Sequence, residues 1–223
     1  MSKTIRENSF FFIVFGVFIL VGGIYLGQTG KADAILFFSE NRSPLLNEAF
    51  KFITHFGEAT VYFLVGIAAL AVRLRYSLLV ALTGLSVLGV SQAMKYFFAE
   101  DRPITFFAKQ NLAGKVNLIE GVDLNSGATS FPSGHSMAAF ALYTLLILLL
   151  PSKKRYVALL FSVALLVGIS RIYLVQHFWQ DVYAGAILGA ALATLIYVGQ
   201  SRFETSNSGR LDRPLFRIGK QSA

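Results

Sequence analysis

The chain has 223 residues, of which 55% are hydrophobic and 14% are charged. Soluble domains carry roughly 25% charged residues, so this composition excludes an ordinary soluble domain and requires lipid around the chain. Cysteine is absent, which excludes disulfides, zinc–thiolate sites and iron–sulfur clusters. The net charge of +8 does not indicate nucleic-acid binding, because the basic residues fall between apolar runs and form no stripe interleaved with aromatics.

Six apolar segments are predicted to cross a membrane as helices. A bilayer about 30 Å thick requires roughly 20 mostly apolar residues per helix, and lipid offers the backbone no hydrogen bonds. The predicted fold is therefore all-α, a polytopic six-helix bundle within residues 1–200. The spans cover about 10–26, 52–72, 78–98, 134–150, 156–175 and 182–198. His55 and Glu58 weaken the second span, and the basic residues 201–223 are predicted to form a flexible cytoplasmic tail.

The first apolar segment also resembles a signal peptide, since Lys3 and Arg6 precede it and a cleavage-like site follows at 32–34. The segment exceeds the roughly 7–15 apolar residues of a signal peptide, so we expect a retained helix. Ala34–Phe38 and Leu45–Phe50 are expected to form short interfacial helices.

Lysine and arginine placement predicts the orientation of these spans. With the N-terminus inside, twelve basic residues lie on the cytoplasmic side and eight on the opposite side. The eight are Lys31, Arg42, Lys51, Lys95, Arg102, Lys109, Lys115 and Arg171. This asymmetry favours cytoplasmic termini.

Three polar stretches on the non-cytoplasmic side are candidates for chemistry, because ionisable residues near membrane depth are costly. In the first, Lys95 and Arg102 are seven residues apart, which is two helical turns, so one helix face is expected to present both. Pro103 is expected to end that helix near Arg102. Taken alone, the two cations also fit ordinary snorkelling side chains at a helix end.

The second stretch is Ser130-Phe131-Pro132-Ser133-Gly134-His135, whose Pro-Ser-Gly turn opens the fourth span. Free backbone N–H groups and the helix dipole at such a start suit a phosphate. Ser133 adds a hydroxyl donor, and His135 is placed to transfer a proton. An ordinary N-cap is the alternative for this turn taken alone.

The third stretch contains Ser170, Arg171, His177 and Asp181. Residues four apart meet on a helix, so Asp181 is expected to fix the tautomer of His177 and leave its other nitrogen free to attack. A structural His–Asp pair is the alternative. Together, three cations, a helix start and two histidines match the needs of phosphoryl transfer, and the clustered cations argue against a metal ion.

The motifs resemble the signature of the type-2 phosphatidic-acid phosphatase superfamily, which includes lipid phosphate phosphatases and vanadium haloperoxidases. Its three parts read Lys-x6-Arg-Pro, Pro-Ser-Gly-His and Ser-Arg-x5-His-x3-Asp. Every position is filled here, in order, between Lys95 and Asp181. The resemblance implies a metal- and cofactor-independent hydrolase and assigns a role to each signature residue.

By this resemblance, His177 is the nucleophile, Asp181 orients it, and His135 is the general acid and then the base. The implied phosphate-binding residues are Lys95, Arg102, Ser133, Gly134 and Arg171. Ser170, Pro103 and Pro132 support them, and Ser170 is expected to orient Arg171. Outside the signature, Glu58 either lines the site or faces a neighbouring helix, and the second interpretation is favoured.

The expected function is hydrolysis of a lipid phosphomonoester or pyrophosphate through a phosphohistidine. The candidate substrates are phosphatidic acid, phosphatidylglycerophosphate, a polyprenyl pyrophosphate and a saccharolipid phosphate. A lipid phosphotransferase, a haloperoxidase-like enzyme and a six-helix anion transporter are the alternatives. The partners implied are the lipid substrate and the bilayer. The expected location is a bacterial inner membrane, with the site facing the periplasm.

Overall fold

The computed structural model of the chain describes residues 2–150, 153–201, 209 and 211–215. The regular secondary structure of these residues is entirely helical, with no strand, as predicted. The helices are α1 (Ser2–Glu7), α2 (Ser9–Gln28), α3 (Asp33–Glu40), α4 (Pro44–Ile53), α5 (Ala59–Leu70), α6 (Leu74–Phe98), α7 (Pro103–Lys109), α8 (Gly134–Leu149), α9 (Lys154–Tyr173) and α10 (Trp179–Ser201). Single 3-10 turns occur at Thr54–Gly57 and Ala113–Lys115.

Each predicted span corresponds to one helix or to a bent pair of helices, but not all of these helices are long enough to cross a bilayer. Four stretches of the described chain are long and apolar enough by themselves, and a bent pair, Pro44–Gly57 with Ala59–Leu70, makes a fifth. The remaining helix, α8, has 16 residues. The composition and length of the helices therefore support a membrane-embedded protein, while a count of six crossings stays a prediction.

The second predicted span is not one continuous helix. Its two halves meet at an angle of 54°, and the Thr54–Gly57 turn lies at the bend. A side chain at Gly57 would contact Val167 and the backbone oxygen of His135 at 3.0 Å or less. The bend therefore brings the turn directly against the start of α8.

Helix α8 is the centre of the bundle. It packs along α10 and also against α9 and α6, and most of its side chains are buried. Its sequence is apolar on every face, which is typical of a helix enclosed by others. A methyl group at Gly189 of α10 would overlap the carbonyl oxygen of Met137, so α8 and α10 approach at backbone distance.

Helix α2 is held against the bundle by two aromatic side chains of α10. Trp179 Nε1 donates to Gly22 O at 3.1 Å, and the Tyr183 hydroxyl donates to Ile19 O at 2.8 Å. Helices α3 and α4 contain the two segments predicted as short interfacial helices, and both pack on α9.

The described part of the tail returns to the turn between α5 and α6. Arg75 Nη2 donates to Asp212 Oδ2 at 3.0 Å, and the Leu215 amide donates to Leu70 O at 3.0 Å. The rest of the segment predicted as a flexible tail lies outside the described residues.

Candidate active site

The residues of all three motifs meet at one end of the bundle. Lys95 lies in the last turn of α6, His135 in the first turn of α8, and Arg171 in the last turn of α9. Arg102 precedes α7 and His177 precedes α10. Lys95, Arg102, Arg171 and His177 are all close enough to His135 to act on it electrostatically.

His177 and Asp181 form a buried pair with exposures of 2% and 0%. Nδ1 of His177 lies 3.5 Å from Oδ2 of Asp181, a separation longer than a normal hydrogen bond. Oδ2 accepts hydrogen bonds from the Ser130 hydroxyl and from the amide of Phe178, which fix the carboxylate. Burial lowers the pKa of His177 to about 4, although the hydrogen-bonding and charge of Asp181 oppose this effect.

Arg102 contacts the other nitrogen of the His177 ring. Its Nη1 lies 3.1 Å from His177 Nε2 and donates to Gln176 O at 3.1 Å, and its Nε donates to Thr129 Oγ1. A guanidinium can only donate, so Nε2 accepts and the ring proton is assigned to Nδ1, facing Asp181.

The path of the chain to Arg102 differs from the sequence prediction. Helix α6 ends at Phe98 rather than near Arg102, because Ala99 adopts the left-handed conformation with φ of 45°. Arg102 is extended, as expected for a residue before proline, and Pro103 opens α7. The spacing had predicted that Lys95 and Arg102 share one helix face, and this was wrong. Lys95 reaches the site from the end of α6, and Arg102 reaches it from the residue before α7.

Arg171 is buried, with 7% exposure. Its Nη1 donates to Thr54 Oγ1 at 2.6 Å. Its Nε makes no hydrogen bond to any described residue, although it is shielded from solvent. A buried guanidinium donor without a partner is costly, so this position is suited to an anionic ligand.

The start of α8 has an N-cap, which was the alternative for this turn taken alone. Ser133 Oγ accepts from the amide and the hydroxyl of Ser136, which leaves its own hydroxyl hydrogen free to donate. A side chain at Gly134 would lie 3.7 Å from Lys95 Nζ. The lysine therefore points to the helix start, as expected for two groups that bind one anion.

The supporting signature residues lie in or beside the site. Pro103 and Pro132 are buried at the start of α7 and just before α8. The Ser170 hydroxyl donates to Val167 O of its own helix at 2.6 Å, so it bonds the α9 backbone rather than Arg171.

Four residues of the site were assigned no role there from the sequence, although Ser130 opened one of the three candidate stretches. Thr54 and Ser130 hold Arg171 and Asp181, as described above. The backbone carbonyl of Gln176 accepts a hydrogen bond from Arg102. Its side-chain amide donates to Asp123 O and accepts from Asn125 Nδ2, which holds the loop before α8 in place. The only sequence signal for Thr54 was a cluster of polar residues that interrupts an apolar span.

The fourth is Glu58, for which the favoured interpretation was wrong. Rather than simply facing a neighbouring helix, its Oε1 lies 4.0 Å from His135 Nε2 and 2.8 Å from His55 Nδ1. The reason is the bend at Gly57, which directs the residue that follows it toward α8.

A groove of about 850 Å³ runs from the site along the space between α5 and α6. Lys95, Gly134 and His135 line one end, and Leu70 and Ser77 line the other. Most of the wall between them is apolar. Among the described residues, no three His, Asp or Glu side chains are grouped closely enough to hold a metal ion.

A family model described as the PAP2 superfamily matches residues 72–204, which include all three motifs. Phosphatidylglycerophosphatase B of Bacillus subtilis (strain 168) is 30% identical over 192 residues, covering 80% of this chain and 88% of that protein. Lipid phosphate phosphatase 1 of Arabidopsis thaliana is 40% identical over 98 residues. That match covers 39% of this chain and only 30% of the plant protein.

Two solved structures have a similar fold. The crystal structure of Aquifex aeolicus LpxE gives a TM-score of 0.63 at 27% identity and covers 76% of this chain and 96% of that chain. The transmembrane PAP2 type phosphatidylglycerolphosphate phosphatase from Bacillus subtilis gives 0.64 at 25% identity and covers 90% and 99%.

Proposed function

The chain belongs to the PAP2 superfamily, and from this premise we propose that it hydrolyses a lipid phosphomonoester or pyrophosphate through a phosphohistidine on His177. The observation that carries the proposal is the buried series of contacts from Arg102 through the His177 ring to Asp181. It joins a cation, a nucleophile and an orienting carboxylate.

His177 is the nucleophile because its Nε2 carries the ring's lone pair in this tautomer, and a phosphate that binds Arg102 would release that lone pair from the guanidinium. The low pKa keeps the ring neutral at physiological pH, so no proton has to be removed before attack. Asp181 stabilises the positive charge that the ring acquires when Nε2 bonds to phosphorus. Ser130 and the Phe178 amide keep that carboxylate in position.

The phosphoryl oxygens are bound by Lys95, Arg102 and Arg171, together with the Ser133 hydroxyl and the Gly134 amide. Phosphoryl transfer depends on positioning and on stabilising the charge of the phosphoryl oxygens. Three cations beside a helix N-terminus meet that need, and on this basis the reaction is assigned no metal. His135 protonates the leaving oxygen and then activates the water that releases phosphate.

The substrate is a membrane lipid. The apolar groove between α5 and α6 reaches the helix start that binds phosphate, so an acyl or prenyl chain can lie in the groove while its phosphate lies at His177. Relatives named as lipid phosphate phosphatases and as phosphatidylglycerophosphatase B are consistent with this class. Phosphatidic acid, phosphatidylglycerophosphate, polyprenyl pyrophosphates and saccharolipid phosphates all remain candidates.

The protein is integral to the membrane, and we assign it to a bacterial inner membrane with both termini in the cytoplasm. The excess of basic residues on the cytoplasmic side supports this orientation. Lys95 and Arg171 then lie at the periplasmic face, and substrate reaches them from the outer leaflet.

The test is phosphate release by the purified protein, with EDTA present, from a panel of these lipids. We expect release that survives chelation and is abolished by His177→Ala. Brief reaction with radiolabelled substrate should leave acid-labile label on the wild type and none on the variant. Lys109→Ala is the control, because Lys109 is exposed and pairs with Asp101 outside the site.

Normal turnover in His177→Ala would overturn the phosphohistidine assignment. Label on the protein without phosphate release would instead indicate a phosphotransferase that needs an acceptor lipid. Loss of release in EDTA that added metal restores would overturn the metal-independent mechanism.

A further inference from the structure

The Thr54–Gly57 turn and Glu58 supply the site with two side chains that belong to none of the signature motifs. Thr54 accepts from Arg171, and Glu58 Oε1 lies 4.0 Å from His135 Nε2. Gly57 lets this segment approach the His135 backbone, and the Tyr143 hydroxyl donates to Phe56 O at 3.1 Å. The position of Glu58 is therefore set by the contacts of the turn that precedes it.

We propose that Glu58 is a positioning residue for His135, stabilising the imidazolium that protonates the leaving oxygen. The inference rests on the function proposed above and adds a residue to it. His55 holds Glu58 in place, since its Nδ1 lies 2.8 Å from Oε1 and must donate to an ionised carboxylate. His55, Glu58 and His135 thus form a polar series that leads from the turn to the acid.

The charges around His135 explain why such a carboxylate is needed. Cationic or potentially cationic groups face it from several elements: Lys95 on α6, Arg102 before α7, Arg171 on α9 and His177 before α10. Positive neighbours disfavour a further proton on an imidazole, and a nearby carboxylate favours one. Glu58 faces the ring from the α4–α5 side and offsets part of this repulsion.

The proposed chemistry requires the proton on His135 in the first step only. The lone pair of His177 Nε2 forms the P–N bond, the P–O ester bond breaks with its electron pair on the leaving oxygen, and His135 gives that oxygen its proton. Water then attacks phosphorus, the P–N pair returns to His177, and His135 takes the water proton. The quantity kcat/KM reports the first step, so its alkaline limb follows the loss of the His135 proton.

The test compares kcat/KM between pH 4 and 10 for the wild type and Glu58→Gln, in detergent with EDTA. The substrate is the lipid phosphate of the panel that is hydrolysed fastest. We expect the alkaline limb of the variant about one pH unit lower, as for a charge lost at 4 Å from a partly exposed group. Ionisation of the substrate is the same for both enzymes and cancels in the comparison.

An aryl phosphate provides a second readout, because p-nitrophenolate leaves without needing a proton. With this substrate the limbs of Glu58→Gln and wild type should coincide, which a general loss of structure would not produce. Glu58→Asp keeps the charge and should keep the limb near the wild-type position. Glu48→Gln is the matched control, since Glu48 is exposed and pairs with Lys51 on α4.

If Glu58→Gln does not fold, His55→Gln replaces it in the test. This variant releases the Glu58 carboxylate from His55 without removing the charge, so we expect a smaller shift of the alkaline limb in the same direction. Coincident lipid-phosphate profiles for wild type and variant, or an equal shift in Glu48→Gln, overturn the inference. If His177→Ala loses turnover while the alkaline limb of Glu58→Gln stays at the wild-type pH, only the role of Glu58 is rejected and the proposed function stands. Full activity of His177→Ala rejects the proposed function and this inference together.

Discussion

Arg102 and His177 are in direct contact, with Nη1 of the guanidinium 3.1 Å from Nε2 of the imidazole. Arg102 is proposed to bind the phosphate, and Nε2 of His177 is proposed to attack its phosphorus atom. The contact therefore joins these two functions. Because the guanidinium donates, it selects the tautomer that leaves the lone pair on Nε2. A phosphate bound by Arg102 would take over this hydrogen bond and bring phosphorus next to the nucleophile.

Replacing Arg102 should therefore impair both binding and attack. For Arg102→Ala we expect kcat/KM to fall on the order of 10²- to 10³-fold, the effect of removing one strong donor to a developing oxyanion. Arg102→Lys should recover only part of this loss, since an ammonium lacks the planar fork that contacts His177 and Gln176 together. The kcat/KM of both variants is measured from the rate of phosphate release.

Lys109→Ala is the matched control, because Lys109 lies seven residues further along the chain and pairs with Asp101 at the surface. It should retain wild-type kcat/KM. An Arg102→Ala enzyme within twofold of the wild type would contradict the proposed role of the guanidinium.

The ionisation of His177 provides a second prediction. Burial lowers the pKa of His177 to about 4, so the ring is neutral above that pH and becomes protonated, and unable to attack, only below it. The chain contains three histidines, so ¹⁵N-histidine labelling gives a spectrum simple enough to assign with His177→Ala. We expect the His177 signals to keep the pattern of a neutral ring protonated on Nδ1 from pH 8 down to about pH 5.

Two outcomes of the same titration would contradict the ionisation state and the tautomer assigned to His177. A resonance of His177 that titrates near 6.5, the ordinary value for histidine, would contradict a buried neutral nucleophile. A neutral ring protonated on Nε2 would contradict the orientation assigned from Arg102 and Asp181.

Thr54 is predicted to matter for substrate binding although it lies outside every motif. Its Oγ1 accepts from Arg171 Nη1 at 2.6 Å, and Thr54→Val keeps the side-chain shape but removes the acceptor. A buried hydrogen bond to a charged group is worth about 1.5–3 kcal/mol, so kcat/KM should fall at least about tenfold. The loss should appear mainly in KM if Arg171 binds substrate and transition state alike.

Thr194→Val is the control for this change, since the Thr194 hydroxyl donates to Ala190 O within its own helix. We expect it to keep normal kinetics. Equal kinetic constants for the two valine variants would remove Thr54 from the binding site.

Most of the residues that the structure brings together were singled out from the sequence, because the signature residues lie in short segments with fixed internal spacing. His177 and Asp181 meet as their separation of four residues implies, although His177 lies just before α10 rather than on it. The apolar runs likewise located α2, α5, α6, α8, α9 and α10, since lipid forces such runs to be helical, but they did not predict α1 or α7.

Thr54 and Glu58 could not be predicted in the same way, because their position depends on tertiary packing. No local pattern specifies a bend of 54°; it results from Gly57 packing against the His135 backbone. The end of α6 at Phe98 was missed for a related reason. Pro103 limits how far a helix can extend, but the left-handed conformation of Ala99 had already ended it.

The close approach of α8 and α10 leads to a prediction about stability. A methyl group at Gly189 would overlap the Met137 carbonyl oxygen, and backbone cannot move aside as a flexible side chain can. Gly189→Ala should therefore destabilise the protein by about 1–3 kcal/mol, the usual cost of overpacking. It should also lower kcat, because separating the helices moves His135 on α8 away from Asp181 on α10.

Gly199→Ala is the matched control on the same helix, since no atom lies within 4 Å of a side chain added there. Alanine favours a helix over glycine by up to about 1 kcal/mol, so this variant should be neutral or slightly stabilised. Both are compared by the fraction that stays monodisperse in detergent after stepwise heating. If Gly189→Ala survives heating as well as Gly199→Ala, then α8 and α10 do not pack at backbone distance. That result would also contradict the view that this contact aligns the two halves of the site.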